Sequence, residues 1–262
     1  MRTEYDQDLD LGLRPLSARS VVLSLLLGTH PPELPVRQLI RCVEPFGVTQ
    51  PTLRVALTRM VAAGDLQRTD STYRLSERLT QRQRRQDDAL RPQVKTWSGD
   101  WELAIITVSG RSAAERSDLR AELTALRMAE LREGVWLRPA NLDREWPVHV
   151  LTLTQKLIAR PDQDSHDLAR ALWPIQKWAQ TGRNLLHRFA SADNPAERFT
   201  ITAAIFRHLL TDPVLPDALL PDNWPAARLY TAYERFQNEL TQLARAVDDT
   251  APISLRLSPL TL

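Results

Sequence analysis

The stretch Thr49-Gln50-Pro51-Thr52-Leu53-Arg54-Val55-Ala56-Leu57-Thr58-Arg59-Met60 decides how the first third of this 262-residue chain is read. Thr49 is placed to cap a helix by accepting from the backbone N–H three residues on. Pro51 falls in the first turn, where its missing N–H costs little. Gly64 is suited to the C′ position that ends the helix. With Leu53 set at the origin and ~100° per residue, Leu57, Met60, Ala56 and Val61 fall within about 80° of it and form the core stripe. Pro51, Thr52, Arg54, Val55, Thr58 and Arg59 take the other sides. That face carries two Arg, two Thr and no acid, the chemistry of a helix lying in a DNA major groove. The alternative is the solvated face of a structural helix.

Upstream, Val21, Val22, Leu25 and Leu26 repeat at helical spacing from Ser17, and Gly28 stops that helix. A proline-rich turn (Pro31, Pro32, Pro35) leads to a second short helix over Val36 to Val43, broken by Pro45-Phe46-Gly47. Downstream, Leu66 to Arg68 and Thr72 to Leu75 read as two short strands around a polar turn. Helix, helix, turn, helix and hairpin is the order of a winged helix-turn-helix, expected over residues 15–80. The expected DNA contacts are Thr49, Gln50, Thr52, Arg54, Thr58 and Arg59 on the helix, with Arg68, Tyr73 and Arg74 on the hairpin. One such module reads few base pairs, so a homodimer on double-stranded DNA with two half-sites is expected.

Charge agrees with that reading. Residues 14–85 carry twelve Arg against five Asp or Glu, whereas residues 96–262 carry 19 basic and 21 acidic groups. Arginine outnumbers lysine 31 to 3, so the positive charge is planar and suited to bidentate contact with phosphate or guanine. Residues 1–15 hold Glu4, Asp6, Asp8 and Asp10 and read as a loose tail, the opposite of a basic signal-peptide start. The longest apolar run, Val21 to Leu27, is interrupted by Ser24, far short of the about 20 residues a membrane span needs. A cytoplasmic protein without membrane contact is expected. No two of the eight glycines lie closer than eleven positions, which excludes the Gly-rich phosphate loops and the G-x-S-x-G nucleophile elbow. The five histidines (30, 149, 166, 187 and 208) show no i, i+4 pairing, so no metal site is expected. Cys42, the one cysteine, sits on an apolar helix stripe and reads as a buried, inert thiol.

Beyond a polar connector at 81–96, the pattern changes. Trp101 to Val108 alternates as a strand, Ala113 to Leu126 is helical, and Gly134 to Leu137 and Val148 to Leu153 read as further strands. Strand, helix, strand and strand fits a ferredoxin-like α+β module over 97–160. Residues 161–262 read as a helical domain. Its last helix spaces Leu229, Tyr233, Phe236, Leu240, Leu243 and Val247 as either a dimer seam or a stripe buried within the chain. The expected fold class is therefore α+β and multidomain.

The block Leu53 to Met60, the run Gly134-Val135-Trp136 with Pro139, and the series Leu210-Thr211-Asp212-Pro213-Val214-Leu215-Pro216, Leu219-Leu220-Pro221 and Trp224-Pro225 together resemble the PaaX-like family. The resemblance spans about residues 17–246. It implies a transcriptional repressor of phenylacetic-acid degradation, with a winged helix, a Cas2-like ferredoxin module and a helical C-terminal domain. It also implies a dimer that leaves its operator on binding an aryl-acyl-CoA, typically phenylacetyl-CoA. Such a ligand needs cations for phosphates and an aromatic pocket for the acyl group. Trp136, Arg138, Trp173, Trp178, Arg183, His187 and Arg188 supply those types, and a packed aromatic core is the alternative use of the tryptophans. The chain departs from the family at Asp70 in the hairpin turn and at Asp100 and Glu102. A Cas2-like module also raises metal-dependent nuclease chemistry, which needs a carboxylate at the end of the first strand. Ser109-Gly110-Arg111 stands there, so no catalytic residue and no cofactor is expected.

Overall fold

Ser17 opens the first helix of the computed structural model, which describes residues 17–245. The acidic stretch 1–15 and Val247 lie outside the described residues. Helix α1 (Ala18–Leu27) is closed by a capping box between Ser17 and Ser20 and ends at Gly28. Strand β1 (Glu33–Pro35) leads directly into α2 (Val36–Val43), and α3 (Gln50–Ala62) starts at its Thr49 cap. Gly64, at φ +69°, then reverses the chain into β2 (Leu66–Thr69) and β3 (Thr72–Leu75). These strands form a three-stranded antiparallel sheet in the order β1-β3-β2. Sequence pattern shows no β1, because three residues with a terminal proline give no alternation; pairing of Leu34 with Tyr73 builds it.

Helix α4 (Glu77–Leu90) occupies most of the polar connector. There follow β4 (Trp101–Ile106), α5 (Ala113–Ala125), β5 (Ala129–Arg132), β6 (Val135–Pro139), α6 (Val148–Leu153) and β7 (Thr154–Ala159). The order βαββαβ with an antiparallel sheet β5-β6-β4-β7 is the ferredoxin-like arrangement. One expectation is corrected here: Val148–Leu153 is a helix and the strand is the segment after it. Pro147 occupies the N-cap, and Val150 is buried with Leu119, Leu123 and Trp136 while Val148 and Leu151 stay exposed. The remaining helices are α7 (Ser165–Leu172), α8 (Ile175–Ser191), α9 (Pro195–Leu209) and α10 (Ala226–Arg245). Among the described residues no helix is long and apolar enough to cross a membrane.

The chain divides into two compact units, and neither is continuous in sequence. Among the described residues, the first unit takes 17–90, Gln180–Thr211 and 225–245, and the second takes Arg91–Ala179 with Asp212–Trp224. Residues 161–262, expected as one helical domain, are therefore shared between both. Their side chains explain the division. Leu168, Ala169, Ile175, Leu215 and Leu219 are buried with Trp101 and Leu137, whereas Phe199 meets Phe46 and Phe236 in ring contacts of the first unit. In α10, Leu229, Phe236, Leu240 and Leu243 are buried within this single chain, the second of the two expected uses of that stripe. Cys42 is fully buried, and burial pushes its thiol up to about 12.

Candidate nucleic-acid interface

Helix α3 shows a buried side of Leu53, Leu57 and Met60, with Ala56 at the boundary. Val61, expected in the core stripe, is instead exposed at the edge of that side. The opposite side presents Thr52, Arg54, Val55, Thr58 and Arg59, all exposed. The Thr58 hydroxyl donates to the Arg54 carbonyl at 3.0 Å and so stays close to the helix. Thr49 and Thr52 share a hydroxyl contact of 2.9 Å at the cap, which commits Thr49 to ending the helix. Gln50 is exposed in the first turn. Val55 was not among the expected contacts, yet it is 51% exposed between the two arginines. Its angular position in the sequence carried that signal, and an apolar side chain there suits a thymine methyl group.

The hairpin divides its three expected contacts. Arg68 and Arg74 are exposed, and each is held: Arg68 Nε donates to the Asp70 carbonyl at 2.9 Å, and Arg74 Nε donates to Gln67 Oε1 at 2.9 Å. Tyr73 is only 9% exposed, with the Arg68 guanidinium 5.8 Å from its ring centroid. It packs inward from the middle strand, so it supports Arg68 and offers little surface of its own.

The acid that follows α3 is neutralised. Asp65 is buried after α3 and accepts from Arg19 Nη2 at 2.8 Å and Arg78 Nη2 at 2.7 Å, tying the starts of α1 and α4 to the end of α3. On α4, Arg82, Arg84 and Arg85 are exposed. Gln83 on the same helix is buried, and its amide donates to the carbonyls of Leu27 at 2.6 Å and Thr29 at 3.1 Å. It satisfies the carbonyls at the end of α1 that the helix itself leaves open.

The residues expected to hold an effector are not gathered into one pocket. Trp136 is buried in the apolar core beneath the ferredoxin-like sheet. Trp173 packs on a different cluster with Trp101, and Trp178 stacks on Trp224 with ring centroids 4.3 Å apart. Arg183, His187 and Arg188 belong to the other unit, where the first two are exposed. Arg138 is fully buried and serves as a clamp. Its Nη2 donates to Asn141 Oδ1 at 2.7 Å and the Val214 carbonyl at 3.0 Å, and Nη1 reaches the carbonyls of Arg127 and Pro213. Burial lowers its pKa to about 9, assisted by the neighbouring Arg144 and opposed by Glu102, 3.5 Å away. Glu102 itself also binds Arg144 at 2.6 Å, so the acid that departs from the family is the anion of a buried cluster. Asp100 likewise pairs with Arg160 at 2.9 Å.

A cavity of about 250 Å³ in the first unit is lined by aromatic side chains, as the tryptophans are not gathered to do. Leu27 of α1, Arg82 of α4, and Phe199, Phe206, Tyr233 and Phe236 of α9 and α10 line it. Phe206 and Tyr233 lie 5.4 Å apart between ring centroids, and burial raises the Tyr233 hydroxyl above its ordinary value. Among the described residues no group of histidines, cysteines and carboxylates is arranged to hold a metal ion.

Comparison with known proteins assigns the chain. Residues 17–79 match the model of the PaaX-like protein, residues 94–157 that of the PaaX protein central Cas2-like domain, and residues 168–249 that of the PaaX-like protein C-terminal domain. The protein belongs to the PaaX-like family. That membership suggests a transcriptional regulator of phenylacetic acid catabolism, and the family is regulatory rather than enzymatic. An uncharacterized protein from Mycobacterium tuberculosis, Rv0674, is 47% identical in sequence with a TM-score of 0.81, over 89% of this chain and 99% of that one. No curated protein matches.

Proposed function

We propose that the protein is a sequence-specific, DNA-binding repressor that docks α3 in the major groove of its operator. The helices α1 to α3 with the β2–β3 hairpin are read as a winged helix-turn-helix, and the hairpin as its wing. The observation that carries this reading is the face of α3: Arg54 and Arg59 flank Val55 and Thr58 with no acid among them. Arginine offers a fork to guanine, and valine offers a surface to thymine, so the face combines the two kinds of major-groove contact. Arg68 and Arg74 from the hairpin, with Arg82, Arg84 and Arg85 from α4, then meet flanking phosphates. Because one module covers a single half-site, the acting species is a homodimer on a two-fold operator.

The effector in this reading is an aryl-acyl-CoA such as phenylacetyl-CoA, and its aryl group enters the aromatic cavity beside Phe206 and Tyr233. That cavity touches α1, and Gln83 ties α4 to the end of α1. A ligand there lowers operator affinity only by binding the DNA-incompetent arrangement more tightly. A coupling of about 1–3 kcal/mol weakens operator binding roughly 5- to 150-fold. The test is a gel-shift titration of the upstream region of the gene itself, with phenylacetyl-CoA, phenylacetate and bare coenzyme A as additions. A specific shift relieved by the thioester supports the reading. Equal affinity for operator and random duplex sinks the DNA assignment, and a shift indifferent to all three additions sinks the effector.

A further inference from the structure

In the second unit a cleft of about 700 Å³ opens beyond the end of β4, beside the start of α5 and the β5–β6 turn. Arg111, Arg116, Arg120 and Arg132 line it against Glu130 and Glu133, four positive charges to two negative, an excess of two. Part of this set is already paired. Arg120 binds Glu130 at 2.6 Å and lies 5.5 Å from the centroid of the Trp136 ring. Arg116 donates Nη1 to the Arg111 carbonyl at 2.6 Å.

Arg111 is the exception. Its Nε and Nη1 are buried and have no hydrogen-bond partner. Unmet guanidinium donors out of water are costly, so a folded chain that keeps two of them calls for an acceptor. The start of α5 does not supply the answer, because Ser112 and Glu115 close a capping box there. The donors on offer are side-chain forks, whose planar geometry matches the oxygens of a phosphate. Half-buried Ile106 and Val108 add an apolar wall for an uncharged portion of a ligand. A cleft of this size lies within the range of about 300–1,000 Å³ that small-molecule sites occupy.

We propose that this cleft binds the diphosphate of a small nucleotide-type ligand, with half-buried Arg111 as its anchor and Arg116 and Arg132 as outer contacts. Coenzyme A and ADP are two carriers of that chemistry. The site stands on the second unit alone and does not depend on the operator reading.

The test is isothermal titration calorimetry of the full chain with inorganic pyrophosphate, ADP and coenzyme A, repeated for Arg111→Gln and for the exposed-charge variant Arg132→Gln. Thermal melting establishes that each variant is folded. Saturable one-to-one binding of pyrophosphate and at least one nucleotide is expected, weakened about tenfold or more by Arg111→Gln and less by Arg132→Gln. Should Arg111→Gln fail to fold, Arg116→Gln with Arg132→Gln must still weaken binding together. Absence of heat with all three ligands overturns the proposal, and so does binding that both arginine variants leave unchanged. A single-stranded oligonucleotide that binds through the same arginines while the small diphosphates do not overturns the small-ligand assignment. Loss of pyrophosphate binding with intact operator shifts, or the reverse, separates this site from the DNA-binding reading.

Discussion

Arginine is put to opposite uses in the two units. On α3, Arg54 and Arg59 stand exposed, while in the ferredoxin-like unit Arg138 is fully buried among four carbonyls, Asn141 and Glu102. A side chain with five N–H donors and a delocalised charge serves both places. The exposed pair faces solvent, whereas the buried one spends its donors within the chain, on carbonyls, Asn141 and Glu102. Residue type alone therefore says little about function in a chain this rich in arginine, and burial decides.

Removing Arg138 has the largest expected effect. Arg138→Ala strips donors from the carbonyls of Val214, Pro213 and Arg127 and leaves Glu102 with less compensation. A loss of about 3–5 kcal/mol in stability follows, the range for breaking a buried ion pair. Urea unfolding followed by tryptophan fluorescence checks it, and an unchanged midpoint would show that the clamp is dispensable. Arg59→Ala inverts the result. It should leave the unfolding midpoint in place and weaken operator binding by about 1–3 kcal/mol, with relaxed preference at one base pair, measured by gel shift on a set of single-base operator variants. The smallest effect is at the cap. Thr49→Ala should cost about 1 kcal/mol of stability through the start of α3 and disturb operator binding only through that helix; thermal melting beside the same gel shift distinguishes it from Arg59→Ala.

Helix α3 was legible in the sequence because its periodicity, its threonine cap and Gly64 agree on one element. The same holds for α1, α2 and the β2–β3 hairpin. What escaped reading shares a physical cause: tertiary contact overrides a short pattern. The six residues Val148–Leu153 are apolar and β-branched enough to read as a strand, yet packing of Val150 on the core of α5 holds them as a helix. The site was half legible. Angular position on α3 gave the exposed face correctly, but Tyr73 and Trp136 carry no sequence mark separating a binding aromatic from a packing one. Arg138 was indistinguishable from a phosphate ligand until its partners proved to be carbonyls 75 and 76 positions away, with others close by in its own unit.

Those distant partners set an order of events during synthesis. The second unit needs Asp212–Trp224 to satisfy Arg138 and Asn141 and to bury Leu215 and Leu219 against Trp101. While the ribosome has delivered only the βαββαβ stretch, the guanidinium lacks the carbonyls of Pro213 and Val214 and one apolar face of the sheet is bare. Contacts closed over so long a separation form late. The emerging chain thus carries an incomplete module until most of its length is made, and a fragment cut after β7 would inherit that defect permanently.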